Sequence, residues 1–138
     1  MFKHILVAYD GSEPANKAFE LGCSLAHDMH AQLSVLAVAR PPEIGADVET
    51  EAMIEHAQMQ LKHLLKPLRK RADAVALQSH FETAVGHPAE QILRYADEHH
   101  IDHIVVGHRG KSALRRWLVG SISRQVVDHA RCSVTVIR

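Results

Sequence analysis

Two short segments carry residues suited to gripping a polyanion. One is Gly107-His108-Arg109-Gly110, followed after nine residues by Gly120-Ser121. Glycine at 107 and 110 removes side chains, so that backbone N–H groups can approach an anion closely, and both tolerate the positive φ that an amide nest requires. Gly120-Ser121 stands where a helix would open, and the free N–H groups and partial positive charge of a helix N-terminus form a second anion site. Arg109, Lys111, Arg115 and Arg116 put four cations into the same stretch. A polyphosphate matches this chemistry. The plainer alternative is a tight turn at Gly107 and Gly110 and an ordinary cap at Ser121; the place of the pattern directly after an apolar strand favours binding. The other segment is Asp10-Gly11-Ser12, directly after Ile5-Leu6-Val7-Ala8. Phosphates would repel the Asp10 carboxylate, so in a site it should face a ribose or base and accept hydrogen bonds from hydroxyl or amino groups. By itself Asp10 reads as a loop residue capping the next helix. The two segments together carry the binding reading.

Positioning them requires regular elements. Ile5 to Ala8 is a continuous apolar run of the kind found in a strand buried on both faces. Ser12 caps a helix, Pro14 suits its first turn, and Ala15, Ala18, Phe19, Gly22, Leu25, Ala26 and Met29 recur at three and four residues. Leu33, Val35, Leu36 and Val38 predict a second strand, and Pro41-Pro42 with the polar stretch around Gly45 predicts a surface loop. A helix from about Glu49 carries Met53, Ala57, Leu61, Leu64, Leu65 and Leu68, with Pro67 expected to kink or end it. Val75, Leu77, Ser79 and Phe81 alternate as a third strand. Gly86-His87-Pro88 turns into a helix through Ile92, Leu93 and Ala96, and Ile104 to Val106 is a fourth strand. A last helix from Ser121 through Val126 and Val127 precedes a strand from Val134 to Ile137. Alternating strands and helices with short links predict an α/β fold, an open five-stranded parallel sheet with helices on both faces. Ligands of such sheets lie beyond the carboxyl ends of the strands, where the strand order reverses. If strands one and four are neighbours, the two glycine-bearing loops face each other there.

Composition narrows the function. At 138 residues the chain has the length of one domain with a real core, so one domain is expected over 1–138. Sixteen basic and sixteen acidic residues leave no net field toward nucleic acid or an anionic membrane. Six aromatic residues are too few for rows of stacking rings on single-stranded nucleic acid. Cys23 and Cys132 make neither a disulfide framework nor a CxxC motif, and no apolar run approaches a membrane span. A cytoplasmic location is expected. The twelve histidines, at ordinary pKa values, would add roughly ten positive charges between about pH 7.5 and 5.5.

Over its whole length the sequence resembles the universal stress protein family, from Val7-Ala8-Tyr9-Asp10-Gly11-Ser12 to Val134-Thr135-Val136-Ile137. The match is most specific at Gly107-x-x-Gly110-x9-Gly120-Ser121, similar to the family's ATP-binding signature with every spacing intact. The resemblance implies a Rossmann-like fold of the adenine nucleotide alpha hydrolase kind, and ATP, with or without Mg²⁺, as ligand of a stress-response regulator. Gly107, Arg109, Gly110, Gly120, Ser121, Ile122 and Ser123 would surround ribose and phosphates through backbone amides and hydroxyls. Asp10, with Ala8 and Tyr9, would line the adenine and ribose side. Val38, at the end of the second strand, matches the position whose backbone reads the adenine edge, although the same residue reads equally as core. His108 stands where the family often has a small residue such as Ser, and would either touch phosphate or face solvent. The family also implies a homodimer through the final edge strand. The stretch Ala130-Arg131-Cys132-Ser133 lacks the Pro residues common there, which bears on the geometry of that pairing.

Other motifs weigh less. His99 and His103, and His27 and His30, have spacings that could share a helix face. The first pair straddles an expected helix end and strand start, and no Cys or carboxylate completes a metal set. Lys66-Pro67-Leu68-Arg69-Lys70-Arg71 reads as a solvated helix end. No GxxxxGK[ST], GxSxG or HExxH motif is present, and no second carboxylate beside Asp10 is evident to hold Mg²⁺ and orient a water. No catalytic residue is assigned. Two alternatives accompany the regulator: an interaction module of the same fold without nucleotide binding, and a slow ATPase that works by positioning alone.

Overall fold

The computed structural model describes residues 1–41, 48–108 and 120–138. The elements alternate as β1 (His4–Ala8), α1 (Glu13–Met29), β2 (Gln32–Ala39), α2 (Val48–Ala74), β3 (Ser79–Val85), α3 (Pro88–Glu98), β4 (His103–Gly107), α4 (Ser121–His129) and β5 (Ser133–Ile137). The strands form one parallel sheet in the order β3-β2-β1-β4-β5. The α/β expectation therefore holds. Arg109, Gly110, Lys111, Arg115, Arg116, Pro42 and Gly45 lie outside the described residues.

Strand side chains alternate between two buried layers. Ile5 and Val7 of β1, Leu33, Val35 and Ala37 of β2 and Val105 of β4 meet Ala15, Ala18, Phe19 and Ala26 of α1 and Leu65 and Leu68 of α2. Leu6 of β1, Leu36 of β2 and Ile104 and Val106 of β4 meet Ala89, Ile92, Tyr95 and Ala96 of α3 and Val126 of α4. Burial on both faces explains the near-continuous apolar runs of β1 and β4.

Two local expectations are corrected. Pro67 neither ends α2 nor marks its boundary, since the helix runs to Ala74. A proline inside a helix costs about 3 kcal/mol. Leu65 and Leu68, on either side of it, are both buried, and at about 1.5–3 kcal/mol each their burial outweighs that cost. Val75 and Leu77 are not strand. Ala76 takes a left-handed φ of 56° and the Leu77 N–H bonds to the Ala72 carbonyl at 3.1 Å, so 75–77 close the end of α2. The alternation of apolar residues had merged a helix cap with the strand that follows it.

Candidate functional site

β1 lies between β2 and β4, and the chain moves outward from β1 on one side through β2 and β3 and on the other through β4 and β5. The reversal of strand order thus falls between β1 and β4. Their pairing ends at Val7 with Val105, while β4 runs on to Gly107. Beyond the carboxyl ends of these two strands lies the crevice position at which open α/β sheets hold their ligands.

From β1, the chain turns sharply at Asp10-Gly11-Ser12. Asp10 Oδ1 accepts the Ser12 N–H at 2.9 Å, and Gly11 sits at φ 81°. Ser12 Oγ in turn accepts the Ala15 N–H at 3.2 Å, capping α1 as the sequence predicts. Part of the role of Asp10 is therefore the plain one, shaping the turn.

Gly107 is small for a reason the sequence did not reveal. A Cβ there would stand 2.8 Å from Pro14 Cβ, 3.0 Å from the Pro14 carbonyl carbon and 3.1 Å from the Ala15 nitrogen. The first turn of α1 rests directly on the end of β4. Positive φ, expected at Gly107, is absent from it; among glycines of the described residues it occurs at Gly11 and Gly86.

Past Gly107, the His108 N–H bonds to the Ile137 carbonyl at 2.6 Å, and the His108 carbonyl receives the Gly120 N–H. This brings the start of α4 to the end of β4. Gly120 is the helix N-cap, and its carbonyl accepts the Arg124 N–H at 3.0 Å. Ser123 is buried, and its hydroxyl lies 2.9 Å from the Gly120 carbonyl and 3.1 Å from the His108 carbonyl. Its side chain pins the first turn of α4 to β4. Ser121 is exposed, and Ile122 packs on the α3/α4 layer.

Val38 and Ala8 both face that same layer, whereas Tyr9 faces the other. The Tyr9 hydroxyl donates to Asn16 Oδ1 at 2.6 Å, and the ring borders a cavity of about 620 Å³ between α1 and α2, lined also by His63, Leu64, Leu68 and Arg71. Burial, then the neighbouring Asp10 carboxylate, raises its phenol pKa. The Tyr9 backbone faces β2, its N–H bonding to the Leu36 carbonyl at 2.9 Å.

That bond also orients Val38. Polar groups of alternate residues in a strand point to the same side, so Val38 presents its N–H and carbonyl toward β1, as Leu36 does. The last β1 pairing is Ala8 with Leu36, and Val38 lies two residues beyond it. Its backbone edge thus opens into the space past the end of β1. Among the described residues, no group of three His, Cys, Asp or Glu could hold a metal ion, and α3 ends before His103 begins β4, separating His99 from it in geometry.

A fold of this kind defines an open-sheet α/β protein with a ligand position at its strand ends only in outline; comparison with known proteins makes the class specific. The universal stress protein family model matches residues 1–138, and the chain belongs to that family. It is 32% identical to a universal stress protein of Bacillus subtilis over 148 aligned positions, covering all of both chains. Universal stress protein UspA from Lactobacillus plantarum superposes with a TM-score of 0.84 at 32% identity, covering 99% of this chain and 97% of that one. The structure of hypothetical protein MJ0577 superposes at 0.91 with 25% identity, covering 99% and 96%. More distant neighbours of the same fold include a universal stress protein in complex with cAMP, at 21% identity and TM-score 0.77, and one from Archaeoglobus fulgidus in complex with dAMP, at 19% and 0.68.

Proposed function

We propose that this chain binds an adenine nucleotide, ATP with or without Mg²⁺, in the crevice between β1 and β4 and acts as a stress-linked regulator. The observation that carries the reading is convergence: the exposed backbone edge of Val38, the turn at Asp10 and the N-terminus of α4 all border the end of β1 and β4. Val38 N–H and carbonyl present one donor and one acceptor, the pair an adenine edge requires. Asp10 Oδ2 is the carboxylate oxygen available to a ribose hydroxyl, since Oδ1 serves the turn. The backbone amides of Ser121, Ile122 and Ser123 supply the positive end of α4 to phosphate, with Gly107 and His108 leading into the Arg109-Gly110 segment. The cAMP and dAMP complexes of distant members support an adenine nucleotide as ligand class. Mg²⁺ would arrive on the phosphates, because the described residues assemble no metal-ligating group of their own.

The reading includes one domain over 1–138, a cytoplasmic location and a homodimer. β5 is a sheet edge paired to β4 alone among the described strands, and an open edge is a template for a second copy. No helix among the described residues is long and apolar enough to cross a membrane.

Calorimetric titration with ATP, ADP and AMP, with and without Mg²⁺, tests the site. Binding is expected, and Gly110→Val abolishes it while circular dichroism and the unfolding midpoint stay near wild type, because a branched Cβ blocks close approach of phosphate. Absence of binding at millimolar nucleotide, or affinity retained in Gly110→Val, overturns the assignment; the first result would leave an interaction module as the better description.

A further inference from the structure

Far from the crevice, at the amino-terminal rim of the sheet, a fully buried serine joins two titratable side chains. Ser34 of β2 lies between His4 of β1, whose Nε2 is 2.7 Å from Ser34 Oγ, and Tyr95 of α3, whose hydroxyl donates to the same oxygen at 3.1 Å. A serine hydroxyl owns one proton. With Tyr95 donating to Ser34, that proton goes to His4 Nε2, which must then be an acceptor. In that arrangement His4 is neutral with its ring proton on Nδ1, and the His99 backbone is a further polar neighbour of the ring. We propose that His4, Ser34 and Tyr95 form an acid-operated latch, which holds the C-terminal end of α3 on the sheet and loosens when His4 takes a second ring proton.

Protonation turns Nε2 from acceptor to donor. Ser34 then receives two donors and must find a new acceptor for its own proton where water does not reach, and an unmet buried donor is costly. The charged groups around His4 sharpen the response. His80 of β3, in register with Ser34, and His99, the C-cap of α3, stacked on Tyr95 with ring centroids 3.8 Å apart, both oppose a positive charge on His4. Glu82 of β3 faces Tyr95. Asp102, before β4, favours the positive charge, while its carboxylate also accepts the N–H groups of Lys3 at 2.7 Å and His4 at 3.1 Å. Burial outweighs Asp102 and holds His4 below its ordinary pKa. His103 is buried on the opposite face, between Ser133 and Thr135 of β5, and is a separate group. Because α3 packs on α4, release of α3 reaches the helix that borders the crevice; only that last link depends on the nucleotide reading, and the latch is tested without nucleotide.

Two measurements decide. In a proton NMR titration of the full chain, the His4 Cε1–H resonance is expected to move at lower pH than those of the exposed histidines. Amide exchange across 92–98, corrected for intrinsic rates, is expected to accelerate up to tenfold per pH unit as His4 titrates. His4→Gln keeps an acceptor for Ser34 without a titrating proton, and should remove that acceleration. A His4 midpoint among the exposed histidines, or acceleration undiminished in His4→Gln, overturns the latch. Should His4→Gln fail to fold, the wild-type titration decides alone.

Discussion

Replacing Gly107 by alanine isolates the contact that brings α1 onto the end of β4. Two effects oppose each other. Alanine restricts the unfolded chain and, since φ at Gly107 is not left-handed, this would stabilise by about 0.4–1 kcal/mol. Against it, the new methyl lies 2.8 Å from Pro14 Cβ and 3.0 and 3.1 Å from backbone atoms of Pro14 and Ala15. Those atoms belong to a proline ring and to a capped first turn, neither of which yields as a flexible side chain would. Overpacking at a rigid contact costs about 1–3 kcal/mol, so packing wins and the net loss is about 1–2 kcal/mol. For a chain of this size that lowers Tm by roughly 3–7 °C. Urea unfolding should show a lower midpoint with an unchanged slope, and calorimetry should confirm the shift in Tm. A variant as stable as wild type, or more so, would refute the view that close packing is what Gly107 serves.

Ser12→Ala removes the cap of α1 and should cost about 1 kcal/mol in urea unfolding, whereas Ser12→Asp should retain most of it. Ser123→Ala frees the first turn of α4 from the His108 and Gly120 carbonyls; a loss of about 1–2 kcal/mol is expected, with nucleotide affinity falling in the same variant. Acid should weaken the whole fold. Burial lowers the pKa of both His4 and His103 below the value of 6.5 that holds when unfolded, so the unfolded chain binds more protons, and stability rises with pH. The contribution is complete above 6.5, declines as pH falls through that value, and levels off below the folded-state values. Urea midpoints measured from pH 8 to 5 should fall in that direction; a flat profile would contradict it.

Much of the architecture was legible because parallel strands buried on both faces leave unmistakable apolar runs, as in Ile5 to Ala8 and Ile104 to Val106, and because Ser12 and Pro14 mark a helix start by local chemistry. What failed was equally physical. Periodicity saw Pro67 and Val75 but not the tertiary burial of Leu65 and Leu68 that carries α2 past the proline, nor the left-handed Ala76 that ends it. At the site, spacing placed the two loops at strand ends that the sheet order then made adjacent, yet could not distinguish a backbone role from a side-chain role. Ser123 proved to be a tie between elements and Tyr9 turned to the opposite layer. The polar Ser34 within Leu33-Ser34-Val35 was the one signal for the rim network, and only the register with His80 and the approach of Tyr95 give it meaning.

The parity of the strands explains why Tyr9 and Ala8, adjacent in sequence, serve different parts of the molecule. In the proposed site a ligand would meet the layer of Ala8 and Val38, while the Tyr9 ring reports on α1 and α2 through Asn16 and the neighbouring cavity. A change confined to the Tyr9 side chain should therefore alter the packing of α1 on α2 more than it alters nucleotide contacts. Tyr9→Phe keeps the ring and removes only the bond to Asn16, so a small stability loss of about 1 kcal/mol with affinity near wild type is expected from unfolding and calorimetry. A large loss of affinity at unchanged stability would mean that the hydroxyl reaches the nucleotide, and the division of the site between the two faces of the sheet would have to be redrawn.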